Sequence, residues 1–251
     1  MSGTIASERC YEFVQAKALL MDSRTRRAEA HPGVVTISRQ AGSGAHVVAQ
    51  HLVERLQARA SHSSVPWKVF DHDLVGRVIE EHDLPERMAT FMPEDRISAM
   101  SETLDELFGL RPSPSSLVRQ TAETILHLAE LGDAVIIGRA GNLITRHIAG
   151  ALHIRLVGSL EKRIAHIEEY LRLDHLAASE YVRTQDLARK RYVETHYSKD
   201  IDDPLLYDLM IDTDRISYGE AARIISEAGP ARWETIPVGS VSGRGGRPIH
   251  V

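Results

Sequence analysis

Cysteine is almost missing from this chain of 251 residues: Cys10 stands alone, so no disulfide can close within it. Long apolar runs are missing too. Stretches such as Ala134 to Ile137 fall far short of the roughly 20 residues that a membrane helix requires. The first thirty residues hold no apolar core behind a basic start. The expectation is a soluble protein of a reducing, cytoplasmic setting with no membrane partner. A surplus of positive charge is also lacking, since the formal net charge is -5, which argues against a general footprint for nucleic acid. The thirteen histidines form no His/Cys cluster with metal-ligand spacing. No Gly-x-Ser-x-Gly elbow supports a serine hydrolase.

What the chain does contain is alternation. Short β-branched runs exchange with longer stretches of helical period, the pattern of a parallel sheet covered by helices. Five strands are expected: Val34 to Ser38, Trp67 to Phe70, Ala134 to Gly138, Leu152 to Val157, and Leu206 to Asp212. Between them lie apolar stripes at helical spacing, Val48-Leu52-Leu56, Ile97-Met100-Leu104-Leu107 and Leu160-Ile164-Ile167-Leu171. The expected fold is a doubly wound α/β domain over residues 33–228. Residues 71–131 read as a helical insertion, residues 1–32 as a helical extension, and residues 229–251 as a flexible tail rich in Gly and Arg.

The sharpest local feature is Val34-Val35-Thr36-Ile37-Ser38 running through Arg39-Gln40-Ala41 into Gly42-Ser43-Gly44-Ala45-His46. A strand followed by a glycine-bearing turn and a helix start exposes backbone N–H groups, and the helix N-terminus adds partial positive charge, so an anion is favoured there. Gly42 and Gly44 are expected to let a phosphate approach closely. Yet a full Walker A loop carries a glycine where Arg39 stands, a lysine where Ala45 stands, and a hydroxyl where His46 stands. The phosphate cradle is expected without its usual charge and metal anchor.

Phosphoryl transfer demands alignment of donor and acceptor and neutralisation of the transferring group. Arg39 is expected to reach donor phosphates from the loop. Gly138 and Arg139 end a strand, where open α/β sheets bind ligands, and an Arg fork can grip a phosphate through two bonds. Asp71 and Asp73 follow the second strand; they can bind magnesium through water, orient an acceptor hydroxyl, or, for Asp71, cap a helix. Asp203-Pro204 reads first as a turn.

The order of motifs resembles the cytidylate kinase-like branch of the nucleoside monophosphate kinases. The resemblance rests on Ile37-Ser38-Arg39, Gly42-Ser43-Gly44, Phe70-Asp71, Val135-Ile136-Ile137-Gly138-Arg139, Tyr197-Ser198-Lys199-Asp200, Asp203-Pro204 and Tyr207-Asp208-Leu209. It implies a P-loop fold, ATP with Mg2+ as donor, and a small phosphorylated acceptor such as CMP. It also implies that residues 176–200 form a lid whose Arg189 and Arg191 close over the donor phosphates. Two departures stand out: His46 replaces a residue that is often basic, and Ala140-Gly141-Asn142 follow Arg139 where an acidic residue is frequent. A nucleotide sensor without turnover, a kinase of another small acceptor, and a homodimer joined by the N-terminal helix are the alternative expectations.

Overall fold

The computed structural model of the protein describes residues 33–59, 66–71 and 114–234. Its centre is a five-stranded sheet in the order β2-β3-β1-β4-β5. The strands are β1 (Val34–Arg39), β2 (Lys68–Phe70), β3 (Ala134–Ile137), β4 (Ala151–Val157) and β5 (Leu209–Asp212), and every pairing is parallel. Parallel strands buried on both faces need apolar residues at successive positions rather than at alternate ones. The β1 run satisfies this, with Val34, Val35 and Ile37 fully buried.

Side-chain alternation then sorts these residues between the two faces. Val35, Ile37, Val135 and Ile137 pack on helix α1 (Ala45–Arg59) through Val48, Leu52 and Leu56, and on helix α6 (Tyr218–Glu234) through Ala221, Ala222 and Ile225. Val34, Ala134 and Ile136 face the other way, against Ile125, Leu128 and Ala129 of helix α2 (Pro114–Leu131). Each fully buried Leu or Ile contributes about 1.5–3 kcal/mol, so these two layers hold the sheet. Thr36 is the polar residue within the fully buried part of β1; its hydroxyl lies 2.9 Å from Nδ1 of His153, its direct neighbour on β4.

Beyond β3 comes a one-turn helix α3 (Gly141–Ile144), and beyond β4 come α4 (Leu160–Leu171) and the long α5 (His175–Tyr197). Asp174 caps α5 by accepting the Ala177 N–H at 2.9 Å. Ile164 and Ile167 of the α4 stripe are buried against Ala178 and Val182 of α5, whereas Leu160 and Leu171 lie at the surface.

Six boundaries differ from the sequence reading: the first strand ends at Arg39 and the fourth begins at Ala151, each one residue beyond the expected span. The second strand begins at Lys68, one residue later than expected, and the third ends at Ile137, one residue earlier. The fifth strand begins at Leu209 rather than Leu206, because Asp203 accepts the Leu205 N–H at 2.9 Å and Pro204 opens a 3-10 turn over Pro204–Leu206. Residues 229–234, expected in the tail, are instead the last part of α6, which runs to Glu234. Trp233 anchors this last turn, stacked 5.2 Å from Trp67 and donating to the Gly150 carbonyl at 2.7 Å. The expected N-terminal helix, the Ile97 stripe and the chain after residue 234 lie outside the described residues, as does most of the insertion; its last part is α2.

Candidate active site

The carboxyl ends of β1 and β3 carry the turns that form the site. After β1 the chain makes a tight turn in which Gly42 and Gly44 take φ values of 81° and 78°, a left-handed conformation that glycine adopts without steric cost. A Cβ on Gly42 would stand 2.3 Å from the carbonyl oxygen of Arg163, and one on Gly44 would stand 2.3 Å from the Tyr218 ring. The two glycines are therefore required by the protein's own packing, with α4 and α6 pressed against the loop. This packing requirement stands beside the expected role of the two glycines in admitting a phosphate.

The rest of the loop is tightly engaged as well. The Ala41 N–H donates to Oδ1 of Asp186 on α5 at 2.7 Å. The Arg163 guanidinium closes a triangle by donating from Nη1 to the Ala41 carbonyl at 2.9 Å and to Oδ2 of Asp186 at 2.6 Å. Ser43 is buried and donates its hydroxyl to the Gln40 carbonyl at 2.8 Å. Gln40 in turn accepts the Gly158 N–H through its side chain at 3.0 Å. His166 Nδ1 lies 2.8 Å from the Gly42 carbonyl oxygen. Ala45 starts α1, and the amides of that first turn have no intrahelical acceptors by helix geometry. That end of α1 remains the anion-favouring part of the loop.

His46 points away from this role. Its Nε2 lies 2.7 Å from Oδ2 of Asp71, just past β2, while Oδ1 of Asp71 lies 3.7 Å from Arg39 Nη2. Asp71 thus links the loop to the end of β2, and Asp73 lies outside the described residues. Among the described residues no group of three or more metal-ligating side chains occurs. Asp71 is engaged with His46 and Arg39, and Ser43 with the Gln40 carbonyl.

After β3, Gly138, Arg139 and Ala140 take φ values of 80°, 53° and 54° in succession. For the two non-glycine residues this conformation costs roughly 1–2 kcal/mol each, and such strain concentrates at functional positions. The turn is held by the Gly138 N–H donating to the Ile37 carbonyl at 3.0 Å and by Ala140 packing under Tyr192 and Val193 of α5.

These pieces converge on two neighbouring spaces. A narrow slot of about 20 Å³ is lined by Ser38, Arg39, Gly138, Arg139, Asn142 and Arg189 among others. A wider cavity of about 340 Å³ lies on the β4 side, lined by Arg39, Gln40, Arg155, Arg183, Arg189 and Lys190 with Asp186 and Asp202. Arg39 and Arg189 face both. Of the expected site residues, Arg39, Gly138, Arg139 and Arg189 therefore come together, while Arg191 is exposed on α5 and lines neither space. The slot admits little more than a water-sized body, and Arg189, Tyr192 and Val193 of α5 form part of its wall.

Sequence reasoning missed three contributors. Asp186 lies one helical turn before Arg189, 3.9 Å from its guanidinium. Its bond to Ala41 spans 145 residues of chain, and no local pattern announces such a contact. Arg155 is buried in β4, bonded to Ser38 Oγ at 2.9 Å and to Asp202 Oδ1 at 2.6 Å, with its guanidinium 5.6 Å from the centre of the Tyr207 ring. An arginine inside the run Leu152 to Val157, apolar apart from it and His153, was the available signal. Tyr207 closes this cluster by donating to the Ile201 carbonyl at 2.8 Å, and burial raises its phenol above the usual tyrosine range, which keeps it a donor. Arg163, the third, was hidden among the charges of α4.

The sequence profile of the cytidylate kinase-like family matches residues 34–215. An uncharacterized protein from Eubacterium ventriosum has a similar crystal structure, with a TM-score of 0.58 at 18% identity over 80% of this chain and 99% of that one. TT1252 from Thermus thermophilus aligns at a TM-score of 0.39 and 17% identity, covering 79% of this chain and 96% of that one. Among curated proteins none matches.

Proposed function

The chain belongs to the cytidylate kinase-like family, and we propose that it transfers the γ-phosphoryl group of ATP to a pyrimidine nucleoside monophosphate, with CMP first among the acceptors. The single observation that carries this reading is the placement of Arg39 and Arg189 in the wall shared by the slot and the wider cavity. A phosphoryl group passing from one space to the other would meet both guanidinium groups. Charge spread over its oxygens in the transition state is what they neutralise.

Arg139 belongs to the acceptor side in this account. Its strained backbone directs a fixed charge to the slot beside Gly138 and Asn142, and a bidentate grip on the acceptor's phosphate would align it for attack. A phosphate acceptor is already ionised near neutrality, because the second pKa of a phosphomonoester is about 6, so no general base is needed. Mg2+ accompanies ATP and lends charge neutralisation when bound. The helix α5 must lift for the acceptor to enter the slot and close again to exclude water, the usual task of a lid.

Among the described residues no helix is long and apolar enough to cross a membrane, and a cytoplasmic enzyme without a nucleic-acid partner remains our reading of the composition. The N-terminal segment proposed to join two protomers lies outside the described residues.

One structural observation favours a second reading, a nucleotide sensor without turnover. Ala45 supplies no lysine, and the Ala41 amide that could face a phosphate is already bonded to Asp186. A third, a kinase of a hydroxyl acceptor, would use the Asp71 carboxylate, held 2.7 Å from His46, as base. ADP release with ATP and Mg2+ against CMP, dCMP, UMP and small alcohols separates the three. Turnover with a monophosphate that survives Asp71→Asn supports the first, turnover with an alcohol lost in that variant supports the third, and binding of ATP without ADP release supports the sensor.

A further inference from the structure

Helix α4 grips the loop after β1 through two side chains one turn apart, Arg163 and His166. Arg163 Nη1 donates to the Ala41 carbonyl at 2.9 Å, and His166 Nδ1 lies 2.8 Å from the carbonyl oxygen of the next residue, Gly42. A carbonyl oxygen can only accept, so Nδ1 carries the proton and the contact itself fixes the tautomer. The imidazole is half-buried, with the Tyr170 ring 6.2 Å away and the Tyr218 ring 5.7 Å away between centres. Its partner Gly42 lies directly on α4, since a Cβ there would stand 2.3 Å from the Arg163 carbonyl oxygen.

In a trans peptide the carbonyl and the following N–H point to opposite sides. Drawing the Ala41 and Gly42 carbonyls onto α4 therefore turns the N–H groups of Gly42 and Ser43 away from that helix. The Ser43 N–H reaches the Gln40 carbonyl only at 3.3 Å, beyond the usual range of a strong bond. Successive amides turned to one side make a concavity that suits an anion. Gly42 also makes this arrangement fragile. At a φ of 81° a residue without Cβ lets the next peptide rotate at little steric cost, and a rotated Gly42–Ser43 peptide would present a carbonyl oxygen where the amide stood.

Resting on the phosphotransferase reading, we propose that His166 is a positioning residue of the reaction: its Nδ1–H fixes the Gly42–Ser43 peptide with the carbonyl on α4 and the Ser43 amide turned to the donor. His166 touches no reacting atom. It sets how often the empty loop holds the competent peptide orientation, and apparent affinity falls with that fraction. Once nucleotide is bound, the chemical step proceeds as before. Asparagine is the informative replacement, because its amide nitrogen takes the place of Nδ1, whereas the amide nitrogen of glutamine reaches the place of Nε2.

The experiment compares His166→Ala, His166→Asn and His166→Gln with the wild type in the full chain. ADP release with ATP, Mg2+ and CMP gives KM and kcat, calorimetric titration with ATP and Mg2+ gives Kd, and thermal denaturation records the fold. In the Ala and Gln variants the KM and Kd for ATP rise about three- to tenfold, the effect of one lost hydrogen bond. Their kcat and their KM for CMP stay within about twofold of the wild type, as expected when only donor binding is weakened. The Asn variant restores ATP affinity while melting no higher than the Gln variant, a split that a merely structural contact does not produce. ATP affinity equal in all four proteins, an Asn variant no better than Gln, or losses confined to kcat and Tm overturn the inference and leave the kinase reading intact. A wild type that binds ATP without turnover ends the kinase reading, and the titrations alone then decide the role of His166. A wild type that does not bind ATP sinks both.

Discussion

Replacing Arg139 by glycine separates function from stability. Its φ of 53° places an L-residue in a conformation costing about 1–2 kcal/mol, which glycine avoids. Glycine also gains freedom in the unfolded chain, returning about 0.4–1 kcal/mol. The net effect on folding is between neutral and a gain of about 1.5 kcal/mol, and for a chain of this size each kcal/mol moves Tm by roughly 2–4 °C. Activity follows a different course. Removing one preorganised charge from the reacting phosphate costs on the order of 10²–10³-fold in turnover. Thermal denaturation and ADP release on the same Arg139→Gly preparation read both quantities. A variant that melts at or above the wild type and has lost its turnover is the expected result. A variant that loses more than about 2 kcal/mol of stability and keeps its turnover per folded molecule refutes the reasoning, since the strained turn would then serve the fold alone.

Other positions yield further tests. Asp186→Ala breaks the partly buried bridge to Ala41 and Arg163, and the loss of charge-assisted bonds there is about 2–3 kcal/mol; chemical denaturation showing no change would remove Asp186 as the clamp of the loop. Gly44→Ala drives a methyl group to 2.3 Å from the Tyr218 ring at a φ of 78°, costing about 2–5 kcal/mol from backbone and overpacking together. Adding Tyr218→Ala relieves the steric share only, so a double variant no better than Gly44→Ala contradicts the close approach. Asp214 has its carboxyl lowered below the usual range by the hydroxyl and the amide of Ser159, the amide at 2.9 Å. A depressed folded value means stabilisation that is complete above the unfolded pKa of about 3.9 and fades as pH falls through the folded value. The Tm advantage of the wild type over Asp214→Asn should be full at pH 7 and vanish in acid; an advantage unchanged down to the lowest pH at which the protein folds contradicts the assignment.

Much of the fold is legible because a parallel sheet writes itself locally. Val34 to Ser38 and Ala134 to Gly138 are apolar at successive positions since both faces are covered, and the Val48-Leu52-Leu56 stripe has the period of a helix on that sheet. The errors fall where local signals compete. Leu206 looks like the start of a strand, yet the capping carboxylate of Asp203 and the fixed φ of Pro204 turn the chain first. Gly229 and the proline after it look like a tail, yet Trp233 finds Trp67 and the bare Cα of Gly33, whose added Cβ would stand 2.2 Å from the indole. In the site, Arg39, Gly138 and Arg139 are legible as strand-end residues. The clamp by Asp186 and the buried Arg155 depend on contacts between segments far apart in the chain, to which hydrophobic period and motif spacing are blind.

The central claim is that cations at the carboxyl edge of the sheet move a phosphoryl group between two small molecules. Its most direct test is ADP release by the purified protein with ATP, Mg2+ and a panel of CMP, dCMP and UMP, with Arg139→Ala beside it. Turnover with one pyrimidine monophosphate, lost in Arg139→Ala, is the predicted result. Tight ATP binding with no turnover on any of the three contradicts the account.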